Sequence, residues 1–196
     1  MDIKTEMPIG CVVMAAGDSR RFGKNKLMIP VDGKTMIQHA LDAVPTDRLV
    51  SVCVVTQYEE IAALAREYGF LCVCNRHPER GISYTVRLGT EKLRDRCAAI
   101  LFMVADQPLL LRKSVETLLN SYIEHPGKII AASRNRVRGN PCIFPERFFP
   151  ELCELSGDVG GSTVIRRHEE ELLLVEVGEK ELTDMDTPEA LERLRK

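Results

Sequence analysis

The most constraining feature of this sequence is its alternation of short, almost continuously apolar runs with helical segments of ten or so residues. Residues 9–16, 49–56, 70–74, 98–104 and 128–133 read as buried strands. Between them, residues 35–44, 59–68, 83–94 and 112–123 carry helical spacing, with Gly69 and Pro126-Gly127 as stop signals. Strands that are apolar on both faces and alternate with helices form βαβ units, hence a parallel sheet covered by helices on both sides. After Ser133 the rhythm loosens: 140–144 and 172–177 look like strands, while 145–155 and 162–168 look helical. A last helix is expected over 188–195, with Thr187 as N-cap and Pro188 in the first helical position. With no internal repeat, low-complexity tract or linker, residues 1–196 are expected to form a single α/β domain.

Bulk properties narrow the function classes. A hydrophobic fraction of 44% and a charged fraction of 29% describe a globular chain able to bury a core. A formal net charge of −2 supplies no electrostatic reason to expect nucleic-acid or membrane partners. No apolar run approaches the ~20 residues of a membrane span. The opening residues 1–8 are polar and acidic, unlike a secretory signal. The seven cysteines lack a spaced framework and read as reduced thiols, so a cytoplasmic location is expected. Cys72 and Cys74 make a C-x-C pair at strand period, which reads as ordinary strand cysteines rather than zinc ligands.

In an open α/β sheet, ligands bind beyond the carboxyl ends of the strands. The loop after the first strand reads Ala15-Ala16-Gly17-Asp18-Ser19-Arg20-Arg21-Phe22-Gly23-Lys24-Asn25-Lys26. Its glycines let backbone amides approach an anion, and Arg20, Arg21, Lys24 and Lys26 concentrate positive charge there. The combination suits a polyphosphate; the bland alternative is an exposed basic loop. It is not a P-loop, because five residues separate Gly17 from Gly23 and Asn25 follows Lys24. It is not a dinucleotide fingerprint either, since Ser19 stands where the second glycine should be.

Two carboxylate sites follow presumed strands. Asp106 comes directly after the apolar 100–105 run, and Asp184 and Asp186 precede Thr187-Pro188. Magnesium is commonly held by one or two carboxylates together with substrate phosphates, so Asp106 and Asp186 could hold it if the fold joins them. The alternatives are a turn initiator at Asp106 and a helix cap at Asp186.

Taken together, these motifs resemble the molybdenum cofactor nucleotidyltransferases, particularly the cytidylyltransferase branch. The resemblance runs from about Ile9 to Leu191. It is carried by Met14–Leu27 (M-A-A-G-D-S-R-R-F-G-K-N-K-L), Val104–Pro108 (V-A-D-Q-P), Arg138–Pro141 (R-G-N-P), Leu155–Gly161 (L-S-G-D-V-G-G) and Asp184–Pro188 (D-M-D-T-P). It implies a Rossmann-like nucleotidyltransferase fold that takes a nucleoside triphosphate with Mg²⁺ (or Mn²⁺). The nucleotide passes to the terminal phosphate of molybdopterin, and pyrophosphate leaves. Positioning and charge neutralisation carry such chemistry, without a protein nucleophile.

The resemblance places nucleotide binding on Ala15, Ala16, Gly17, Ser19, Arg20, Gly23, Lys26, Gly81 and Ser83, with Arg20, Lys26 and Asp106 catalytic and Asp106 and Asp186 on the metal. It places the acceptor against Arg138, Asn140, Pro141 and Asp158. Ala15-Ala16-Gly17 looks like the pattern of CTP users, where GTP users tend to carry A-G-G. Tyr84 departs from the small serine common in the family. Ser83 could instead cap a helix, and Asp158 could cap the helix over 162–168. His77, His125 and His168 receive no catalytic or metal role. A GTP user remains an alternative, as do a sugar-phosphate or isoprenoid-precursor nucleotidyltransferase and a non-enzymatic molybdopterin chaperone that hands its cargo to a molybdoenzyme.

Overall fold

The computed structural model describes residues 7–17 and 25–185. Strand β1 (Ile9–Ala15) is followed by a small antiparallel pair, β2 (Pro30–Val31) and β3 (Lys34–Thr35), and then by α1 (Met36–Asp42). Thr35 and Gln38 close a reciprocal capping box at the start of α1. The chain continues through β4 (Ser51–Thr56), α2 (Glu59–Glu67), β5 (Leu71–Cys74), α3 (Ile82–Leu93), β6 (Ala99–Val104) and α4 (Arg112–Glu124). The final part comprises β7 (Ile129–Arg134), β8 (Val137–Pro145), α5 (Phe149–Glu154), α6 (Ser162–Arg167) and β9 (Leu172–Glu176).

The seven-stranded sheet has the order β5-β4-β1-β6-β8-β7-β9. The pairs β1–β4, β1–β6, β4–β5 and β7–β9 are parallel, whereas β8 runs antiparallel to both β6 and β7. The mostly parallel sheet read from the sequence is therefore present, with one reversed strand. Residues 135–136 explain the reversal: Asn135 and Arg136 both take positive φ (51° and 63°) in a two-residue hairpin. The Glu176 carboxylate of β9 accepts the Asn135 and Arg136 amides, each at 2.9 Å, and so pins this turn.

Alternation along each strand divides the core between the two faces. Cys11, Val13, Val54, Leu101 and Met103 pack with Ile37 and Leu41 of α1, Ile61 of α2 and Leu118 of α4. Val12, Cys53, Val55, Ile100 and Phe102 pack on the other face with Val86 of α3, Leu152 of α5 and Val164 of α6. Helix α3 lies very close to the sheet, because a Cβ at Gly89 would stand 2.5 Å from a Val12 methyl.

The expected strand over 140–144 is longer, Val137–Pro145, and the expected helix over 145–155 splits into a 3₁₀ turn, Glu146–Phe148, and α5. Pro150 sits in the first turn of α5, where its missing N–H is tolerated. The expected helix over 188–195 lies outside the described residues. Among the described residues no helix is long and apolar enough to cross a membrane.

Candidate active site

The parallel strands deliver their carboxyl ends to one edge, and the strand order diverges at β1, with β4 on one side and β6 on the other. That is the switch-point crevice where open α/β sheets take ligands. Ala15 and Ala16 are buried as β1 ends, and Gly17 follows in the open. Ser19, Arg20 and Gly23 lie outside the described residues.

The chain is described again from Asn25. The Asn25 side chain accepts from the Leu27 amide at 3.2 Å and donates to Glu60 at 3.0 Å, while Leu27 is buried in the core. This anchoring aims Lys26 inward. Its Nζ lies 2.7 Å from Asp106 Oδ2, and the two side chains are only 12% and 22% exposed. The first loop and the end of β6 are thus joined by an ion pair that is largely shielded from water.

Asp106 is held from the backbone as well. Ala105 donates to the Met14 carbonyl at 3.2 Å, and the Met185 amide donates to the Asp106 carbonyl at 2.9 Å. Met185 is fully buried with Ile29, Val31 and Met36, which brings Asp184 back toward the end of β6. Asp186 itself lies outside the described residues. A carboxylate paired with Lys26, with Asp184 held by the neighbouring Gln107, suits a hard divalent cation that also binds phosphate oxygens. Asp106 would contribute to holding such an ion, which would neutralise charge on a triphosphate.

Two polar residues that sequence reasoning passed over support this corner. Gln107 is buried, and its Nε2 donates to Asp184 Oδ1 at 2.9 Å, while its Oε1 is buried without a partner. Glu181, also buried, accepts from Leu111 N at 3.0 Å, Ser114 Oγ at 2.9 Å and Gly178 N at 2.8 Å. It supplies the start of α4 with a carboxylate from a distant loop. Gln107 was within reach of the sequence argument, standing beside Asp106 in V-A-D-Q-P. Glu181 offers no local signal.

The second cluster forms where α3 begins. Asn75 is buried, donates to Thr85 Oγ1 at 3.1 Å and accepts from the His77 amide at 2.9 Å. Gly81 has φ = +81°, and a Cβ there would sit 2.5 Å from the Gly157 carbonyl oxygen. This contact places the start of α3 directly on the loop that carries Asp158. Ser83 is not the helix cap: Gly81 occupies that position, and Ser83 is buried inside the helix with its amide directed at Gly157 O at 3.4 Å. Asp158 caps nothing either, because Gly161 occupies the N-cap of α6 without a side-chain bond. Tyr84 fills its larger volume by packing edge-on to His77, at 5.9 Å between ring centroids, with the Arg80 guanidinium 5.1 Å from its ring.

A cavity of about 390 Å³ opens against this loop. Met14, Phe102 and Phe144 give it an apolar floor, and Arg138, Asn140 and Asp158 give it polar groups. Three of the four residues expected at the acceptor thus meet in one pocket. Pro141, joined to Asn140 by a cis peptide, is not part of the lining. Lys26 and Asp106 stand outside it too. The link is Met14, whose residue lines the cavity while its carbonyl takes the Ala105 amide next to Asp106. Cys142 also lines the pocket, and burial pushes its thiol up to about 12. A lysine paired to a carboxylate, linked through Met14 to a mixed apolar and polar pocket, can neutralise phosphate charge and seat an organic acceptor.

Comparison with known proteins agrees with this architecture. The family described as "MobA-like NTP transferase domain" matches residues 11–172. The purine catabolism protein PucB of Bacillus subtilis is 29% identical over 94% of this chain and 95% of its own length. A protein of Pyrococcus horikoshii named "probable molybdenum cofactor guanylyltransferase" is 24% identical over 59% of this chain and 57% of its own. Among solved structures, Rv0371c of Mycobacterium tuberculosis superposes with a TM-score of 0.83 at 23% identity, covering 96% of this chain and 97% of that one. Its manganese complex superposes with a TM-score of 0.78 at 21% identity, over 95% and 97%. With a mostly parallel sheet, a glycine-containing loop after β1 and a family match over most of its length, the chain belongs to the MobA-like NTP transferase family of nucleotidyltransferases.

Proposed function

We propose that this chain transfers CMP from CTP to the terminal phosphate of molybdopterin and releases pyrophosphate. The observation that carries the reading is the Lys26–Asp106 pair at 2.7 Å, joined through Ala105 and Met14 to a pocket that holds Arg138, Asn140 and Asp158. In this reading the first loop, including Ala15, Ala16, Gly17, Ser19, Arg20 and Gly23, takes the triphosphate nucleotide. Gly81 and Ser83 border the nucleoside. Lys26 neutralises phosphate charge, and Asp106 with Asp186 holds Mg²⁺ or Mn²⁺; the manganese complex of Rv0371c supports a divalent ion. Arg138 offers the acceptor phosphate a planar, paired set of donors.

The choice of CTP rests on Ala15-Ala16-Gly17. GTP is the second reading, favoured by similarity to the Pyrococcus protein with guanylyltransferase in its name. The activity would be exercised in the cytoplasm, with a molybdoenzyme receiving the product.

Pyrophosphate release with molybdopterin as acceptor, compared across CTP, GTP, ATP and UTP with Mg²⁺ or Mn²⁺, tests the proposal. Turnover with CTP is the expected result. Turnover with GTP alone would keep the reaction and reverse the base. Release with a sugar phosphate in place of molybdopterin would overturn the acceptor.

A further inference from the structure

Three consecutive carbonyls at the end of β1 and the start of its loop are each held by a side chain from the end of β4 and the turn that follows. Thr56 Oγ1 donates to the Ala15 carbonyl at 2.9 Å, Gln57 Nε2 to the Ala16 carbonyl at 2.9 Å and Tyr58 Oη to the Gly17 carbonyl at 3.0 Å. The donors run 56, 57, 58 against acceptors 15, 16, 17, in step. The clamp is itself fixed: Thr56 is buried, its Oγ1 accepts the Tyr58 amide at 3.1 Å, and Tyr58 packs against the core.

The order of these bonds has a geometric consequence. Along an extended strand, successive carbonyls alternate from side to side. Here three in a row are drawn toward donors at the end of β4 and in the turn after it. A trans peptide sets its N–H opposite its own C=O. The Ala16 and Gly17 amides, which share peptide units with the Ala15 and Ala16 carbonyls, therefore face away from β4. For Ala16 that is the side of β6, where Met14 pairs with Val104 and Lys26 meets Asp106. Successive amides facing one way form a concavity that receives anionic or carbonyl oxygen.

We propose that Thr56, Gln57 and Tyr58 are positioning residues for the nucleoside triphosphate, turning the Ala16 and Gly17 amides toward acceptor oxygens of the bound nucleotide. The proposal rests on the nucleotidyltransferase reading of the first loop. The three side chains act through the backbone and do not touch the ligand. Because the amides serve the ground state and the transition state alike, the clamp governs KM and leaves kcat in place.

The test is titration calorimetry of CTP and GTP, with Mg²⁺, into the wild type and into Thr56→Val, Thr56→Ser and Tyr58→Phe, alongside steady-state kinetics. Thr56→Val and Tyr58→Phe should each weaken binding by about threefold to tenfold, the worth of one hydrogen bond. KM should rise to match, with kcat unchanged to within about twofold. Thr56→Ser keeps the hydroxyl and should bind as the wild type does. A lowered melting temperature in Thr56→Val or Tyr58→Phe with undiminished nucleotide affinity would reduce the clamp to a structural role and overturn the proposal. So would a fall in kcat at constant KM. A wild type that binds no nucleotide would instead sink the reading of the loop, and the clamp with it.

Discussion

Lys26 and Asp106, eighty positions apart, meet at 2.7 Å where the first loop closes onto the end of β6. Neither residue has a purely local reason to be there. Asn25 and Leu27 anchor one partner, and the Met185 amide steadies the other through its backbone carbonyl.

Replacing Asp106 with Asn keeps the volume and removes the charge. Turnover should fall by about 100-fold or more, the scale for losing one preorganised electrostatic group. The pair is largely shielded, so removing the carboxylate charge should also cost about 2 kcal/mol of stability. Pyrophosphate release and a thermal melt on the same sample check both statements. Full activity in Asp106→Asn would remove this carboxylate from the chemistry.

Gly81→Ala attacks the contact between the start of α3 and the Asp158 loop. The backbone there is left-handed, and the new methyl would meet the Gly157 carbonyl at 2.5 Å. Neither strain can relax through a side chain, so a loss of about 2 kcal/mol is expected. Urea denaturation reads it directly. A loss below about 0.5 kcal/mol would mean that the loop yields easily.

Thiol labelling should single out Cys74. Of the seven cysteines it alone is exposed, whereas Cys11, Cys53, Cys97 and Cys142 are buried. Burial pushes Cys53 up to about 12 and Cys97 up to about 11, which withholds the reactive thiolate at neutral pH. The fast phase of reaction with a disulfide reagent should vanish in Cys74→Ser. Its persistence would assign the fast phase to half-buried Cys72 or Cys153 instead.

Tyr68 predicts an alkaline effect. Burial pushes its phenol up from 10.0 to about 12, reinforced by donation to Asp42 at 2.8 Å. The folded chain therefore holds this proton more tightly than the unfolded chain. The resulting stabilisation is complete below pH 10 and disappears as the pH rises toward 12. Melting temperatures of wild type and Tyr68→Phe should converge across that window. Parallel curves would refute the assignment.

Much of this molecule was legible along the chain. Strands β1, β4 and β6 announce themselves because both their faces are buried, which demands unbroken apolar runs. Gly69 stops α2 with φ = +75°, as its position suggested. The reversal of β8 was not legible, because its turn uses Asn135-Arg136 without glycine and is held by Glu176 from another strand. The boundary at residues 146–149 was also missed, since helical spacing alone does not separate a 3₁₀ turn from the α-helix that follows it.

At the site the division follows the range of the forces. Sequence by itself determined the glycine loop, its basic residues, the carboxylate after β6 and the acceptor-like motifs, because residue type and nearest-neighbour spacing encode them. Only the tertiary structure decided that Lys26 pairs with Asp106, that Arg138, Asn140 and Asp158 share one pocket, and that Glu181 supplies the start of α4. It also decided that residues 56–58 clamp residues 15–17. These adjacencies depend on strand order, and strand order is set by the packing of the whole core rather than by any local run of residues.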